Sequence, residues 1–229
     1  MAKLTYSTEW YLKTIIIHPV YEIILVFSIL IELLLLDLKY FNDFLILMII
    51  FLLPLFQTLV GTGIFRDMHL KVFEISLMEG YFNITFSKSV ALLISYIPFF
   101  IAELLIMVIF HITSFFVPLV LSSLLAIVIS LLLSISSNAS FSFTALAIFM
   151  FIFPIGVQIY IQNLAQLNQQ PDLITSSISY ILSPLVAYQY WKLRFIELSP
   201  FYGFLLDVIF IIILYVLYLL ISMRHQIKP

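Results

Sequence analysis

The sequence contains no cysteine, only 5 glycines and few charged residues, and each shortage excludes a class of protein. Without cysteine there is no disulfide, no thiolate metal site and no cysteine nucleophile. No Gly-x-x-x-x-Gly-Lys loop is present, so the chain lacks an ATPase motif, and the signatures His-Glu-x-x-His and Gly-x-Ser-x-Gly are also missing. We therefore expect no enzymatic activity from this chain alone.

Charge and histidine content narrow the possible partners and cofactors. The formal net charge is -2, which provides no basic face for nucleic acid. The four histidines are dispersed along the chain, so a metal site is not expected. The sequence predicts neither a bound cofactor nor a nucleic-acid partner.

Apolar residues dominate what is present. Hydrophobic residues make up 64% of the chain, charged residues 10%, and the mean hydropathy is +1.20. Soluble domains usually carry about 25% charged residues, so the composition indicates a protein of the lipid bilayer.

A membrane-spanning helix needs about 20 mostly apolar residues. About six runs satisfy this criterion, at roughly 20–36, 44–64, 89–111, 117–135, 141–161 and 204–223. The alternating pattern of barrel strands is absent. We predict an all-α integral membrane protein, with residues 1–229 forming one transmembrane domain.

Lysine and arginine are distributed unevenly between the two sides of the predicted bundle. With the N-terminus inside, seven basic residues are cytoplasmic and three are outside. The inner set is Lys3, Lys13, Arg66, Lys71, Lys88, Arg224 and Lys228, and the outer set is Lys39, Lys192 and Arg194. Because cytoplasmic loops are enriched in Lys and Arg, we expect a multi-pass protein of the cell membrane with both termini cytoplasmic and lipid around it.

Three segments outside the predicted spans have distinct characters. Residues 1–19 include Trp10 and predict a helix lying in the membrane interface. Residues 65–89 form a charged cytoplasmic segment. Residues 162–203 form an outer loop with one or two short helices, interrupted at Ser183-Pro184 and Ser199-Pro200.

The charged segment 65–89 has the pattern of a short amphipathic helix at 67–79. Asp67 and Lys71 have i,i+4 spacing, and Glu74 follows Lys71 at i,i+3. The apolar stripe consists of Leu70, Phe73 and Leu77. Gly80 is placed to end this helix, and Ser87 to cap the next one.

This order of parts resembles the permease subunits of the type-2 class of ATP-binding-cassette transporters. The resemblance extends over essentially the whole chain. In the coupling segment it is carried by Arg66-Asp67, Phe73-Glu74, Leu77-Met78 and Lys88. In the outer loop the segment Tyr180-Ile181-Leu182-Ser183-Pro184-Leu185 is similar to the family's Leu-Ser-Pro turn before its last span. Lys71-Val72 stands where the family usually has Gly-Thr, and Gly80 where it usually has proline.

The resemblance implies a permease that is driven by a separate subunit binding ATP and Mg. A groove on that subunit would receive the coupling helix through five residues: Asp67, Leu70, Phe73, Glu74 and Leu77. Six spans are half of the usual pathway in the family, so a second copy or a related permease is an expected partner. Export is the expected direction of transport.

Four polar residues inside the predicted spans are further candidates for function. These are Glu103, Glu32, Asp207 and Gln57. Charge at the bilayer centre costs about 2.5 to 3.5 kcal/mol, so such carboxylates are functional candidates. For Glu32 and Asp207 the favoured interpretation is that they reach the interface, whereas Glu103 is placed to line a cavity or pair across an interface.

Two other interpretations remain open. A proton- or ion-coupled carrier would use Glu103 as its relay and would need no ATPase. A membrane scaffold that transports nothing is the other, since some complexes of the same family act in mechanical signalling. The sequence identifies no substrate.

Overall fold

The computed structural model of the chain describes residues 2–17, 21–23, 26, 30, 81–109, 111, 113–133, 135, 144–145, 148, 152–167 and 169–227. These residues contain helices and turns and no β-strand. The α-helices are α1 (Ala2–Ile17), α2 (Tyr81–Ile109), α3 (Phe116–Leu133), α4 (Phe153–Gln166), α5 (Leu173–Leu182), α6 (Pro184–Lys192) and α7 (Pro200–Ile227). A 3-10 helix, Thr113–Phe115, precedes α3.

Among the described residues, three helical segments are long and apolar enough to cross a membrane. They are Phe82–Ile109, Thr113–Leu133 and Pro200–Ser222, with hydropathies of 2.4, 2.7 and 3.0. They correspond to the predicted spans 89–111, 117–135 and 204–223. The helical, membrane-compatible character of the chain is therefore confirmed, while most of 20–36, all of 44–64 and much of 141–161 lie outside the described residues.

Helix α2 begins at Tyr81, whereas the sequence predicted a start at residue 89. Ser87, expected to cap the helix, lies inside it and is buried. The polar residues of this first part have partners within the fold: Ser89 donates to the Thr85 carbonyl at 3.0 Å, and Thr85 shares a 3.1 Å hydrogen bond with Ser222 of α7. Residues 81–89 are thus helical turns rather than part of a connecting segment.

Helix α3 is the most enclosed of the three long helices. Within its most apolar window, 67% of residues are buried, against 31% for α2 and 11% for α7. Two of its serines are satisfied within the helix, because the hydroxyls of Ser123 and Ser130 donate to carbonyls of the same helix at 2.9 and 2.8 Å. Ser123 also shares a 2.7 Å hydrogen bond with the Tyr96 hydroxyl of α2.

The N-terminal helix packs at one end of the bundle. Tyr11 and Ile15 of α1 belong to a buried cluster that includes Ile84 of α2, Leu131 of α3 and Tyr218 of α7. We call this group the terminal cluster, because it joins α1 to the last third of α7. The two ends of the chain's described part therefore lie on the same side of the bundle.

A second buried group lies where α4, α5, α6 and the start of α7 meet. It consists of Ile161, Tyr180, Val186, Ala187, Tyr190 and Ile196, with Phe204 of α7 packed against it. We call it the hairpin cluster, after the helical hairpin that α5 and α6 form. These two helices are the short helices predicted within 162–203, and the break between them falls at Ser183-Pro184 as expected.

The first turn of α5 is fixed by a side-chain cap. Asp172 has extended backbone angles, and its carboxylate accepts a hydrogen bond from the Thr175 backbone N–H at 2.9 Å. This satisfies one of the amides left unpaired at a helix start. The same bond holds the pKa of Asp172 below its usual value. The hairpin thus has a defined starting point outside the long helices.

Candidate functional site

The residues predicted to dock an ATPase lie outside the described part of the chain. These are Asp67, Leu70, Phe73, Glu74 and Leu77. The same holds for Glu32 and Gln57. The predictions for these residues therefore stay predictions.

The other two intramembrane candidates lie on described helices. Glu103 belongs to α2, and Asp207 belongs to the second turn of α7. Asp207 is only 2% exposed, so its side chain is enclosed by protein, although the sequence favoured a position reaching the interface.

The Asp207 carboxylate is enclosed without a polar partner. Neither of its oxygens has a hydrogen-bond partner among the residues that the structure describes. Burying a polar group without a compensating hydrogen bond costs free energy, and the cost is far larger for an ionised carboxylate. Asp207 is therefore an energetically expensive feature of the fold.

Tyr180 of α5 packs over the same face of α7, one turn before Asp207. A Cβ atom built on Gly203 would lie 2.5 to 2.7 Å from Cγ, Cδ1 and Cδ2 of the Tyr180 ring. The ring therefore lies directly against the backbone of α7, and only glycine leaves room for it. Because Gly203 and Asp207 are four residues apart, they share one face of α7.

The phenol of Tyr180 is buried with the carboxylate. Tyr180 is 0% exposed, and its hydroxyl also lacks a hydrogen-bond partner among the described residues. Burial raises the pKa of Tyr180 well above its usual value, and the charges of Asp207 and then Tyr188 raise it further. The phenol therefore keeps its proton near neutral pH, and Asp207 lies close enough to act on it electrostatically.

Aromatic rings enclose this pair on the hairpin side. Phe204 meets Tyr180 edge-on with centroids 5.9 Å apart, and Tyr188 lies 5.7 Å from Phe204. Tyr188 also meets Phe115, in the 3-10 helix before α3, edge-on at 5.1 Å. Edge-on and tilted arrangements at these distances are favourable for aromatic pairs. The rings join α5, α6 and α7 to the turn between α2 and α3.

Polar contacts hold the hairpin at its outer edge. The Lys192 ammonium of α6 donates to the Ser114 hydroxyl at 3.0 Å and lies 4.7 Å from the centre of the Phe115 ring. On the other side, burial raises the pKa of Tyr190, and side-chain hydrogen bonds with Gln162 and Gln158 of α4 oppose this shift. These glutamines thus connect α4 to α6.

A second buried ionisable side chain lies beside the terminal cluster. Lys88 of α2 is 7% exposed, and its ammonium lies 5.8 Å from the centre of the Tyr11 ring. A cation over an aromatic face is stabilised by the ring quadrupole. The contact joins α1 to α2 and indicates a structural role for Lys88.

Sequence reasoning identified Asp207 but missed the packing of Tyr180 on Gly203. The available signal was the i,i+4 spacing of Gly203 and Asp207 on a helix that is otherwise apolar. Tyr180 had no such signal, because its contact with α7 depends on how the hairpin folds back. No set of three or more His, Cys, Asp or Glu side chains able to hold a metal ion occurs in the described part of the chain.

Comparison of the chain with protein-family models, with characterised proteins and with solved structures gives no significant match.

Proposed function

We propose that this chain is the membrane-spanning permease subunit of an ATP-binding-cassette transporter of the type-2 class. A separate subunit would bind ATP and Mg and drive it, and a second copy or a related permease would complete the substrate pathway. Export is the direction we expect. The observation that carries the proposal is the order of parts along the chain, from the N-terminal helix through the charged segment 65–89, whose last turns begin α2, to the helical segment 162–203.

The packing of α1 supports a coupling role for the segment that precedes α2. Tyr11 and Ile15 lie against Ile84 and Leu92 of α2, and Tyr11 also lies beside Lys88. A displacement of residues 65–80 would act on the start of α2 by direct chain continuity. Because α1 is packed on those turns, the two helices would move together.

The surface of α7 supports contact with lipid or a second permease. Its most apolar window has a hydropathy of 3.0, yet only 11% of it is buried. Large side chains such as Ile212, Ile213 and Leu220 are more than half exposed. An apolar face of this length needs a bilayer or a protein partner to cover it.

The sidedness of the chain can be measured directly because it contains no cysteine. Single cysteines at His69 and Ile174 would be labelled in intact cells with a membrane-impermeant maleimide. Ile174 is 68% exposed on the hairpin, so we expect it to react from outside and position 69 to react only after permeabilisation. The opposite pattern would place the charged segment outside the cell and remove the proposal.

The docking role of 67–79 is tested by co-purification and ATPase stimulation. We expect the double variant Phe73→Ala/Glu74→Ala to lose transport and stimulation of the partner ATPase. Glu79→Ala removes a carboxylate from the far side of the same predicted helix and should change neither. Docking would be contradicted if the double variant retained both the partner and its stimulation.

A proton- or ion-coupled carrier is the second candidate, and the buried Asp207 is the observation in its favour. Such a carrier would move its substrate in vesicles under a pH or ion gradient without any ATPase. Transport that requires added ATP and a nucleotide-binding partner would exclude it.

A further inference from the structure

The pair formed by Asp207 and Tyr180 joins two buried polar groups that leave their hydrogen-bonding capacity unused. Asp207 is 2% exposed and Tyr180 is 0% exposed, and neither has a hydrogen-bond partner within the described residues. Most buried polar side-chain atoms in proteins are paired, so an unpaired set calls for an explanation.

An ionised carboxylate is the costly state for such a site. Removing a carboxylate from water costs several kcal/mol even after relaxation, unless a counter-charge or hydrogen bonds compensate for it. A neutral carboxylic acid avoids most of this cost. The packed arrangement is therefore compatible with a protonated Asp207 and works against an ionised one.

A proton is also the occupant that the packing admits. The Tyr180 ring lies against the α7 backbone at Gly203, and Phe204 closes on that ring from the side. A bound Na⁺ or K⁺ would need several oxygen ligands, whereas the packed side chains of Tyr180 and Phe204 offer at most one phenol oxygen. A proton requires no such shell.

The groups around the pair leave the carboxylate without a described counter-charge. The hairpin presents Tyr180 from α5 and Tyr188 from α6, and burial raises the pKa of the Tyr180 phenol, so it supplies no counter-charge. Helix α3 carries no titratable residue. Lys192 of α6 is engaged with Ser114 and the Phe115 ring, and α2 meets α7 near Ser222, at the other end of the bundle.

We propose that Asp207 is a proton-binding site that latches the α5–α6 hairpin onto α7. In the closed form described here the carboxylic acid is neutral, having accepted its proton from hydronium and left a water molecule behind. When that proton returns to water, the carboxylate requires hydration, and the hairpin must move off α7 to admit it. The ligand is the proton, and the device works whether or not an ATPase drives the chain.

Helix α5 is the element that can move. It has 10 residues, against 28 in α7, and Leu173, Ile174 and Ile178 on its outer face are 48 to 70% exposed. A short helix with one packed face opens at lower free energy than a long core helix. Opening would separate Tyr180 from Gly203 and expose Asp207 to water.

The test uses single cysteines in the full-length, cysteine-free chain, purified and placed in lipid nanodiscs. Ser179→Cys reports opening, because Ser179 is 2% exposed on the packed side of α5, and Ile174→Cys on its exposed side is the control. Maleimide labelling rates are measured across pH, and the ratio of the two removes the pH dependence of thiol chemistry. Linkage to one proton predicts a ratio that rises up to about tenfold per pH unit through the transition.

Substitutions assign this rise to Asp207. We expect Asp207→Asn, which cannot ionise, to give a low ratio at every pH, while Glu197→Gln, an exposed carboxylate on the same loop, keeps the wild-type profile. Glu103→Gln tests the other carboxylate on the long helices and should also keep it. A flat wild-type ratio, or an equal rise in Asp207→Asn, would overturn the proposal.

Infrared spectroscopy provides a readout that does not depend on hairpin motion. At a pH well above the ordinary pKa of exposed aspartate and glutamate, a carbonyl stretch of a protonated carboxylic acid should be present in the wild type and absent from Asp207→Asn. If the labelling ratio at constant pH changes with added Na⁺ or K⁺, the site binds a metal cation. If the Asp207-dependent band is missing, the carboxylate remains ionised. Either result refutes the proton latch.

Discussion

Replacing Gly203 with alanine should destabilise the packing of α5 on α7. The added Cβ would lie 2.5 Å from Tyr180 Cγ, whereas ordinary contact begins at 3.4 Å. The ring must therefore retreat by about 0.9 Å. It cannot do so freely, because Phe204 contacts it and the side chain is fully buried.

The expected magnitude combines two opposing effects. Overpacking a close contact costs about 1 to 3 kcal/mol, and a rigid ring pressed against a helix backbone falls in the upper part of that range. Alanine stabilises a helix interior by about 1 kcal/mol relative to glycine. We expect a net loss of about 1 to 2 kcal/mol, which corresponds to a melting temperature lower by about 2 to 8 °C for a domain of this size.

Thermal unfolding in detergent, followed by tryptophan fluorescence, measures this loss. Trp191 packs against the hairpin cluster and reports on it directly. Gly156→Ala on α4 is the matched control, because a Cβ there meets no atom within 4 Å. Gly156→Ala should gain the helix propensity of alanine without a steric clash, so its melting temperature should equal or exceed that of the wild type.

A double variant isolates the contact itself. Tyr180→Leu shortens the side chain facing Gly203, so Gly203→Ala should cost less in that background than in the wild type. If Gly203→Ala is as stable as Gly156→Ala, or if its cost is unchanged by Tyr180→Leu, the close packing of ring on backbone is not what determines stability here.

Three further perturbations address other contacts. Asp172→Ala should speed hydrogen exchange at the start of α5, because it removes the cap on the Thr175 N–H. This N–H lowers the pKa of Asp172, so the wild-type cap is complete above the ordinary aspartate pKa and is lost as pH falls through the lowered value. The exchange rates of the two proteins should therefore converge in acid. Tyr96→Phe and Ser123→Ala remove the two ends of a 2.7 Å hydrogen bond, and their double-mutant cycle in thermal unfolding should give a coupling of about 0.6 kcal/mol, with strict additivity as the contrary result. Tyr11→Leu removes the ring that joins α1 to α2 and should make α1 more sensitive to limited proteolysis, whereas Tyr11→Phe should behave as wild type.

The helical architecture was predictable because the sequence is so apolar. Long runs without alternation leave helices as the way to satisfy backbone groups in lipid, and the described long helices overlap three of the predicted runs. The short helices within 162–203 were also predictable, since Ser183-Pro184 interrupts an apolar stretch and proline starts a helix readily.

The start of α2 could not be predicted from hydropathy. Thr85, Lys88 and Ser89 made residues 81–89 resemble a solvated connection. In the fold their polar groups contact Ser222, the Tyr11 ring and the helix backbone. These partners come from distant parts of the chain, so a window along the sequence does not detect them.

The burial of Asp207 was hidden for a similar reason. Its position near the end of a predicted span suggested that its side chain would reach water. Tyr180 covers that face of α7, and it can do so because residue 203 is glycine. A contact between the hairpin and α7 thus decides whether this carboxylate is accessible.

The length of α7 has a mechanical consequence. Its apolar part, Pro200–Ser222, has 23 residues, which span about 35 Å at 1.5 Å per residue, whereas a typical hydrocarbon core is about 30 Å thick. Placed in a bilayer, the helix would relieve this mismatch by tilting, more steeply in thin membranes than in thick ones. The Tyr180 ring is pressed against Gly203 near one end of α7, so tilting of α7 would carry the hairpin with it. The acyl-chain length of the surrounding lipid would therefore affect the packing around the buried Asp207 carboxylate.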